Sequence, residues 1–260
     1  MIKAVFFDID GTLVSFQTHA IPEGTMETLQ ELRKRGVLLF IATGRDTTGL
    51  HVLDKFTFDG YITLNGQYCF TKENEVIYQN TIPKEDVEVI LQELKKNLFP
   101  CGFTTKNGKM YNYRDERVEE LHRITKNDGQ PVGDVSHANE EDVYQIQAFL
   151  NNDEEKELMA KMKHCTSARW YHTFCDISPL GGTKVLGMDC FAKRYGFTME
   201  ETMAFGDGGN DVAMLEHAAI SVAMGNAVEE LKECADYITA DVDHDGEKQA
   251  VNHYLDKFIQ

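Results

Sequence analysis

The chain alternates short, mostly apolar runs with segments in which apolar residues recur every three or four positions. The apolar runs predict strands over residues 2–7, 37–43, 61–65, 202–207, 220–225 and 236–240. Between the first two runs, Met26, Leu29 and Leu32 recur with helical spacing and Gly36 follows, which is typical of an amphipathic helix with a glycine stop. Strands that are apolar on both faces and separated by helices indicate a parallel sheet covered on both sides.

The middle of the chain has a different pattern. It predicts a helix over 81–98 opened by Pro83, an alternating strand over 143–150 and a charged helix over 153–165. Turn signals stand at Gly108 and at Asp128–Gly129. Helices followed by alternating strands favour an α+β unit with one solvated sheet face.

This change of pattern predicts two domains. Residues 1–80 and 179–260 form an α/β core in this interpretation, and residues 81–178 form an inserted α+β domain. Gly181 and Gly182 stand beside the second connection, where their backbone freedom would suit a hinge.

Charge and composition limit the partners and the cellular location that we expect for the protein. The 260-residue chain carries 43 acidic and 26 basic residues, a formal net charge of -17. Nucleic acids and anionic membranes would be repelled, so we expect neither as a partner. No run approaches the roughly 20 apolar residues of a membrane span, and the first residues lack a signal-peptide pattern, so we expect a cytoplasmic protein. The six scattered cysteines form no CxxC pair and are expected to be buried free thiols.

Polar residues stand where three of the predicted strands end. Asp8 and Asp10 follow the first strand, Thr43 ends the second, and Asp207 ends the strand in "MAFGD". The carboxyl ends of parallel strands meet at one edge of a sheet, so these residues should converge, with Lys184 at the start of a nearby helix. Clustered carboxylates without histidine or thiolate suit Mg²⁺, and a lysine and a threonine beside it suit phosphate oxygens. The sequence therefore predicts a site for Mg²⁺ and a phosphate monoester.

Four ordered segments resemble the motifs of the haloacid dehalogenase superfamily of phosphotransferases. They are "DIDGTL" at 8–13, "TGR" at 43–45, Lys184 in "GGTKVLGM" and "GDGGND" at 206–211. The long insertion, "YITLNG" and the final "DVDHDGEKQAV" resemble the Cof-type sugar phosphatases with a type IIB cap. The resemblance implies a Rossmann-like parallel-sheet core with an inserted α+β cap. It also implies Mg²⁺-dependent hydrolysis of small sugar phosphates, so the expected partner is a small phosphorylated metabolite.

The resemblance implies a role for each matching residue. Asp8 is expected to attack phosphorus and form an aspartyl phosphate, and Asp10 is expected to carry the proton. Mg²⁺ is expected to bind the Asp8 carboxylate, the Asp10 backbone carbonyl, Asp207 and Asp211. The phosphoryl oxygens are expected to bind Lys184, Thr43, the Gly44 amide and Asn210.

Two other functions stay open at this point. Sugar phosphomutases of the same superfamily share the DxDGT chemistry, and a non-catalytic protein could use the same crevice to sense a sugar phosphate. The pair Asp8 and Asp10 argues against the sensor, which needs neither a nucleophile nor a proton carrier.

Structural explanations also compete for individual residues. Thr43 and Asp211 suit helix caps, and Lys184 suits a solvated first turn. The run Trp170–Tyr171–His172 suits either a sugar site or core packing. Residues 241–252 imitate a calcium loop, but Asn252 replaces the bidentate glutamate at its twelfth place, so we interpret them as a loop into the final helix.

Overall fold

The computed structural model describes residues 1–125 and 129–258. Its contacts divide the chain into two compact units. The first, which we call the core unit, consists of residues 1–45 and 49–79 and of the chain from Gly182 onward. The second, which we call the inserted unit, consists of residues 46–48 and 80–181.

The strands are short and most of them are buried. In chain order they are β1 Ala4–Phe7, β2 Leu38–Ala42, β3 Gly60–Thr63, β4 Tyr68–Thr71, β5 Val76–Gln79, β6 Cys101–Thr105, β7 Gly108–Tyr111, β8 Gln145–Ala148, β9 Cys165–Tyr171, β10 Phe174–Pro179, β11 Thr202–Gly206, β12 Ile220–Ala223 and β13 Tyr237–Ile238. The helices are α1 Glu23–Lys34, α2 Lys84–Lys96, α3 Glu116–Thr125, α4 Asn152–Met159, α5 Lys184–Tyr195, α6 Val212–His217, α7 Glu229–Cys234 and α8 Gly246–Phe258.

The core unit is built on an eight-stranded sheet of order β13-β12-β11-β1-β2-β3-β4-β5. The strands from β13 to β3 pair in parallel, and they are the strands that the apolar runs predict. The predicted α/β class with a parallel sheet is therefore confirmed. The sequence pattern missed the antiparallel strands β4 and β5 at one edge; both are only four residues long, and no residue of β5 is buried.

Successive residues of the core strands bury their side chains in two different clusters. Phe7 of β1 lies in a cluster with Leu29 of α1 and Val251 of α8. Phe6, the preceding residue, lies in a cluster with Met188 and Phe191 of α5. Because neighbouring side chains of a strand point to opposite faces, the sheet is covered on both faces, as the sequence predicts.

Helices α1 and α8 are also joined by a buried polar contact. The Thr25 hydroxyl of α1 donates a hydrogen bond of 3.0 Å to Oε2 of Glu247 in α8. The residues before α8 form the predicted loop: Asp241 caps a short turn, Asp245 adopts a left-handed conformation (φ 58°), and the helix begins at Gly246.

The inserted unit has a five-stranded antiparallel sheet of order β7-β6-β8-β10-β9. Helix α2 begins after Pro83, as predicted. The expectation of a solvated face is wrong for β8, whose residues are all buried. It fits β9, in which exposed and less exposed positions alternate. Gln147 is accommodated in buried β8 because its amide group contacts Tyr111 and Asp176.

The charged helix predicted over 153–165 is too long. Helix α4 ends at Met159, and Cys165 already begins β9. The Asp86 carboxylate of α2 accepts hydrogen bonds from the backbone amides of Lys163 (3.3 Å) and His164 (2.9 Å). These amides therefore do not continue the helical pattern.

Trp170 in β9 is 57% exposed, and its indole N–H donates to Asp176 at 2.9 Å. Burial in a core does not account for Trp170.

The predicted turn at Asp128–Gly129 includes Asp128, which lies outside the described residues, whereas Gly129 has a positive φ of 68°.

All six cysteines are free, as expected, although Cys190 and Cys234 are only partly buried. Within the described ranges, no helix combines the length and the apolarity that crossing a bilayer requires.

Candidate active site

Asp8 lies directly after β1 at the centre of the core sheet. Its backbone amide donates to the carbonyl of Phe205 in β11 (3.0 Å), and only 6% of the residue is exposed. Lys184, the first residue of α5, is 3% exposed. Its Nζ lies 2.7 Å from Oδ1 of Asp8 and 2.6 Å from Oδ1 of Asp211. The alternative of a solvated first-turn lysine is therefore wrong.

Asp8, Asp207 and Asp211 form an acidic cluster. Each offers a carboxylate oxygen, and the three oxygens lie within 4.8 Å of one another. Burial, reinforced by the charge of Asp211, raises the pKa of Asp8 to about 8 and that of Asp207 to about 7. Burial opposes the charged amine, but Asp211 and Asp8 raise the pKa of Lys184 above its usual value. One ammonium cannot balance the two buried carboxylates and the partly buried one, so the cluster suits a further hard cation such as Mg²⁺.

Asp211 also organises the loop that carries Asp207. Its Oδ2 accepts hydrogen bonds from the backbone amides of Asp207 (3.1 Å) and Gly208 (3.0 Å). Helix α6 begins at the next residue, Val212, but the Asp211 side chain makes no capping bond to it. Asp211 therefore does not cap α6, but it accepts the amide hydrogen bond at the start of the short turn Gly209–Asp211, and it also links Lys184 to the Asp207 loop.

Asp207 is oriented by two groups that sequence reasoning missed. The Thr12 hydroxyl donates to its Oδ1 (3.3 Å), and Asn226 Nδ2 donates both to its Oδ2 (3.1 Å) and to the Gly11 carbonyl (2.9 Å). Gly11 has a φ of 80°, and a Cβ there would lie 2.2 Å from the same Oδ2. Glycine is therefore required at this position by both backbone conformation and space.

The Asp10 carboxylate lies outside the acidic cluster and instead binds Arg45. Nε of Arg45 donates to Oδ2 and Nη2 donates to Oδ1, each at 2.7 Å. A third nitrogen, Nη1, donates to the Gly49 carbonyl at 2.8 Å. Arg45 stands in the motif "TGR" of the sequence, but spacing alone gave no reason to pair it with Asp10, 35 positions away.

Thr43 directly follows β2 and begins the next turn in a buried position. Its hydroxyl accepts a hydrogen bond from the Arg45 amide (3.1 Å), so it supports the "TGR" turn rather than a helix. Asn210 Nδ2 donates to Oδ1 of Asn65 at 2.9 Å. A Cβ on Gly44 would lie 3.3 Å from Nδ2 of Asn65, so Asn65 lies between Gly44 and Asn210.

Asn65 was not singled out from the sequence, although it belongs to the quoted "YITLNG". It has a φ of 54° and follows Leu64 with a φ of 52°. Asparagine tolerates this left-handed conformation, but a leucine in it is strained, and such strained residues cluster at active sites and ligand clamps. This backbone places the Asn65 amide beside Asn210.

Comparison with known proteins gives the following similarities. A family model of haloacid dehalogenase-like hydrolases matches residues 5–251. The chain is 36% identical to the Bacillus subtilis protein YkrA over 251 residues, which cover 96% of each chain. It is 28% identical to the HMP-PP phosphatase of Klebsiella pneumoniae over 284 residues, covering 100% of this chain and 96% of the other. The structure of BT4131, a HAD subclass IIB sugar phosphatase, matches with a TM-score of 0.82 and 42% identity, covering 97% of this chain and 98% of that one.

Proposed function

This chain belongs to the haloacid dehalogenase-like hydrolases and is a phosphatase, and we propose that it hydrolyses small sugar phosphates through an aspartyl phosphate on Asp8. The observation that carries the mechanism is the position of Lys184 between Asp8 and Asp211, with Asp207 beside them. The similarity to BT4131, a sugar phosphatase, supports the substrate class, and the similarity to an HMP-PP phosphatase supports phosphatase activity alone.

In the first step, an Asp8 carboxylate oxygen attacks phosphorus and the bond from phosphorus to the ester oxygen breaks. The departing alcohol oxygen takes a proton from Asp10. In the second step, water attacks the aspartyl phosphate, Asp10 takes the proton of that water, and phosphate and free Asp8 result. Lys184 holds the attacking carboxylate in place throughout.

The residues present fit a magnesium ion. The carboxylates of Asp8, Asp207 and Asp211 would hold it together with the Asp10 backbone carbonyl, and Thr12 and Asn226 fix the direction of Asp207. Two unit charges about 4 Å apart at an effective dielectric near 20 interact by about 4 kcal/mol, so a carboxylate and a phosphate repel each other strongly. When bound, the ion would supply the positive charge that offsets this repulsion.

The phosphoryl oxygens would be held by Lys184, Thr43, the Gly44 amide and Asn210. The Asn65 oxygen accepts one Asn210 N–H, which fixes the orientation of the Asn210 amide group and leaves its other N–H for the ligand. Donors held before the ligand arrives stabilise the transferring group without reorganisation during the reaction.

The test is a panel of phosphate esters with Mg²⁺, with phosphate release and isomerisation measured in parallel. We expect kcat/KM for hexose and pentose phosphates to exceed that for nucleoside monophosphates. HMP-PP belongs in the same panel. A ratio of hexose phosphates to nucleoside monophosphates below one would reject the sugar assignment. Conversion of a hexose 1-phosphate to the 6-phosphate without phosphate release would favour the mutase, and ligand binding without either reaction would favour the sensor.

A further inference from the structure

The two parallel hydrogen bonds from Arg45 to the Asp10 carboxylate, which we call the fork, have no part in the mechanism above. Both Asp10 oxygens accept a hydrogen bond from the guanidinium, each at 2.7 Å. The Asp10 side chain is 39% exposed, so it would sample several orientations in water without an anchor. A bidentate, charge-assisted pair fixes both the direction and the rotation of a carboxylate.

Arg45 is itself held at a second point. Its Nη1 donates to the Gly49 carbonyl, and its backbone amide donates to the Thr43 hydroxyl. The backbone next to Asp10 is likewise fixed, since the Gly11 amide donates to the Val14 carbonyl at 3.0 Å. The two partners of the fork are therefore held by hydrogen bonds in separate turns.

We propose that Arg45 is the positioning residue for the proton-carrying carboxylate of Asp10. The proposal rests on the proposed function, in which Asp10 gives a proton to the leaving group. Each carboxylate oxygen has two lone pairs and uses one for the fork, so one oxygen can still exchange a proton with the substrate while Arg45 holds the group. A lysine cannot replace Arg45, because an ammonium lacks the planar fork.

The experiment compares two substrates of similar shape whose leaving groups differ in basicity. Phenyl phosphate releases a basic phenolate that benefits from a proton, whereas 4-nitrophenolate leaves without one. The quantity measured is the ratio of kcat/KM for phenyl phosphate to that for 4-nitrophenyl phosphate. Neither substrate is a sugar phosphate, so the readout does not depend on the sugar assignment.

We expect R45Q to lower this ratio about 10- to 100-fold, because misplacing a general acid forfeits much of its effect. We expect R45K to lower the ratio nearly as much. Arg35→Gln, which removes a partly exposed ion pair at the end of α1, serves as the matched control and should leave the ratio unchanged. In a D10N background, R45Q should lower the ratio no further, because both changes act on the same proton transfer.

Equal losses on the two substrates would overturn the proposal and make Arg45 a general structural or phosphate-binding residue. The proposal would also be overturned if R45Q left the ratio unchanged or if R45K kept the wild-type ratio. A further fall in the ratio when R45Q is added to D10N would overturn it as well. Near-ultraviolet circular dichroism verifies that each variant is folded. If R45Q is not folded, R45K replaces it as the test variant. A D10N protein that keeps the wild-type ratio would instead refute the proton-carrying role of Asp10, which belongs to the proposed function.

Discussion

Replacing Glu247 by glutamine should change how the stability of the protein depends on pH. Glu247 is fully buried near the start of α8. Thr25 donates to its Oε2, whereas its Oε1 has no hydrogen-bond partner within the described part of the chain. Burial, with a smaller contribution from the charge of Asp245, raises the pKa of Glu247 from its ordinary 4.5 to about 8. The folded protein therefore holds this carboxyl in its neutral form at neutral pH.

The raised pKa fixes the sign and size of the effect. An acid whose pKa is higher in the folded state stabilises the fold fully below pH 4.5, and this contribution is lost as the pH rises to about 8. Raising the pKa from 4.5 to about 8 corresponds to about 5 kcal/mol at 1.36 kcal/mol for each pH unit. Between pH 5 and pH 8 the wild type should lose about 4 kcal/mol relative to Glu247→Gln.

The assay is urea unfolding followed by far-ultraviolet circular dichroism at pH 5, 6, 7 and 8. The free energy of unfolding of the wild type minus that of Glu247→Gln should fall steadily with pH and level off above pH 8. The control is Glu233→Gln, which changes an exposed glutamate of α7 and should give a curve parallel to the wild type. If the free energies of unfolding of Glu247→Gln and the wild type changed in parallel with pH, the reasoning from burial would be refuted.

The remaining predictions concern the active site. Chelation of divalent metal should abolish turnover, and Mg²⁺ should restore it better than Ca²⁺, whose larger and looser coordination would misplace Asp8; full activity in chelator would reject the metal assignment. Asp8→Asn should eliminate turnover, and rapid acid quenching should trap phosphate on Asp8 of the wild type only, so a wild type that never carries phosphate contradicts the covalent step. Lys184→Ala should leave a folded but severely impaired enzyme. Without metal it should be destabilised by about 3–5 kcal/mol, because two buried carboxylates lose their partner. Urea unfolding midpoints measured with and without Mg²⁺ test this, and an unchanged midpoint without metal would contradict it.

The sequence was sufficient where a residue's local surroundings determine its place. The parallel strands are apolar on both faces, so their pattern identifies them, and Asp8 and Lys184 lie at a strand end and a helix start that the same pattern locates. It was insufficient where distant segments meet. The fork of Arg45 on Asp10 and the contact of Asn65 with Asn210 depend on how separate turns pack, and no spacing in the sequence encodes that. The contact of Asp86 with the amides of Lys163 and His164, which follow the end of α4, also joins distant segments and could not be read from the local pattern.

The exposed Trp170 makes the inserted unit visible to fluorescence separately from the core unit. It is the single tryptophan of the chain, and it lies in β9. Light at the red edge of the aromatic absorption band excites tryptophan and not tyrosine, so the emission reports on the inserted unit alone. Circular dichroism reports on the helices of both units. Coincidence of the two signals during unfolding would therefore reveal one cooperative transition, and separation would reveal two units that melt independently.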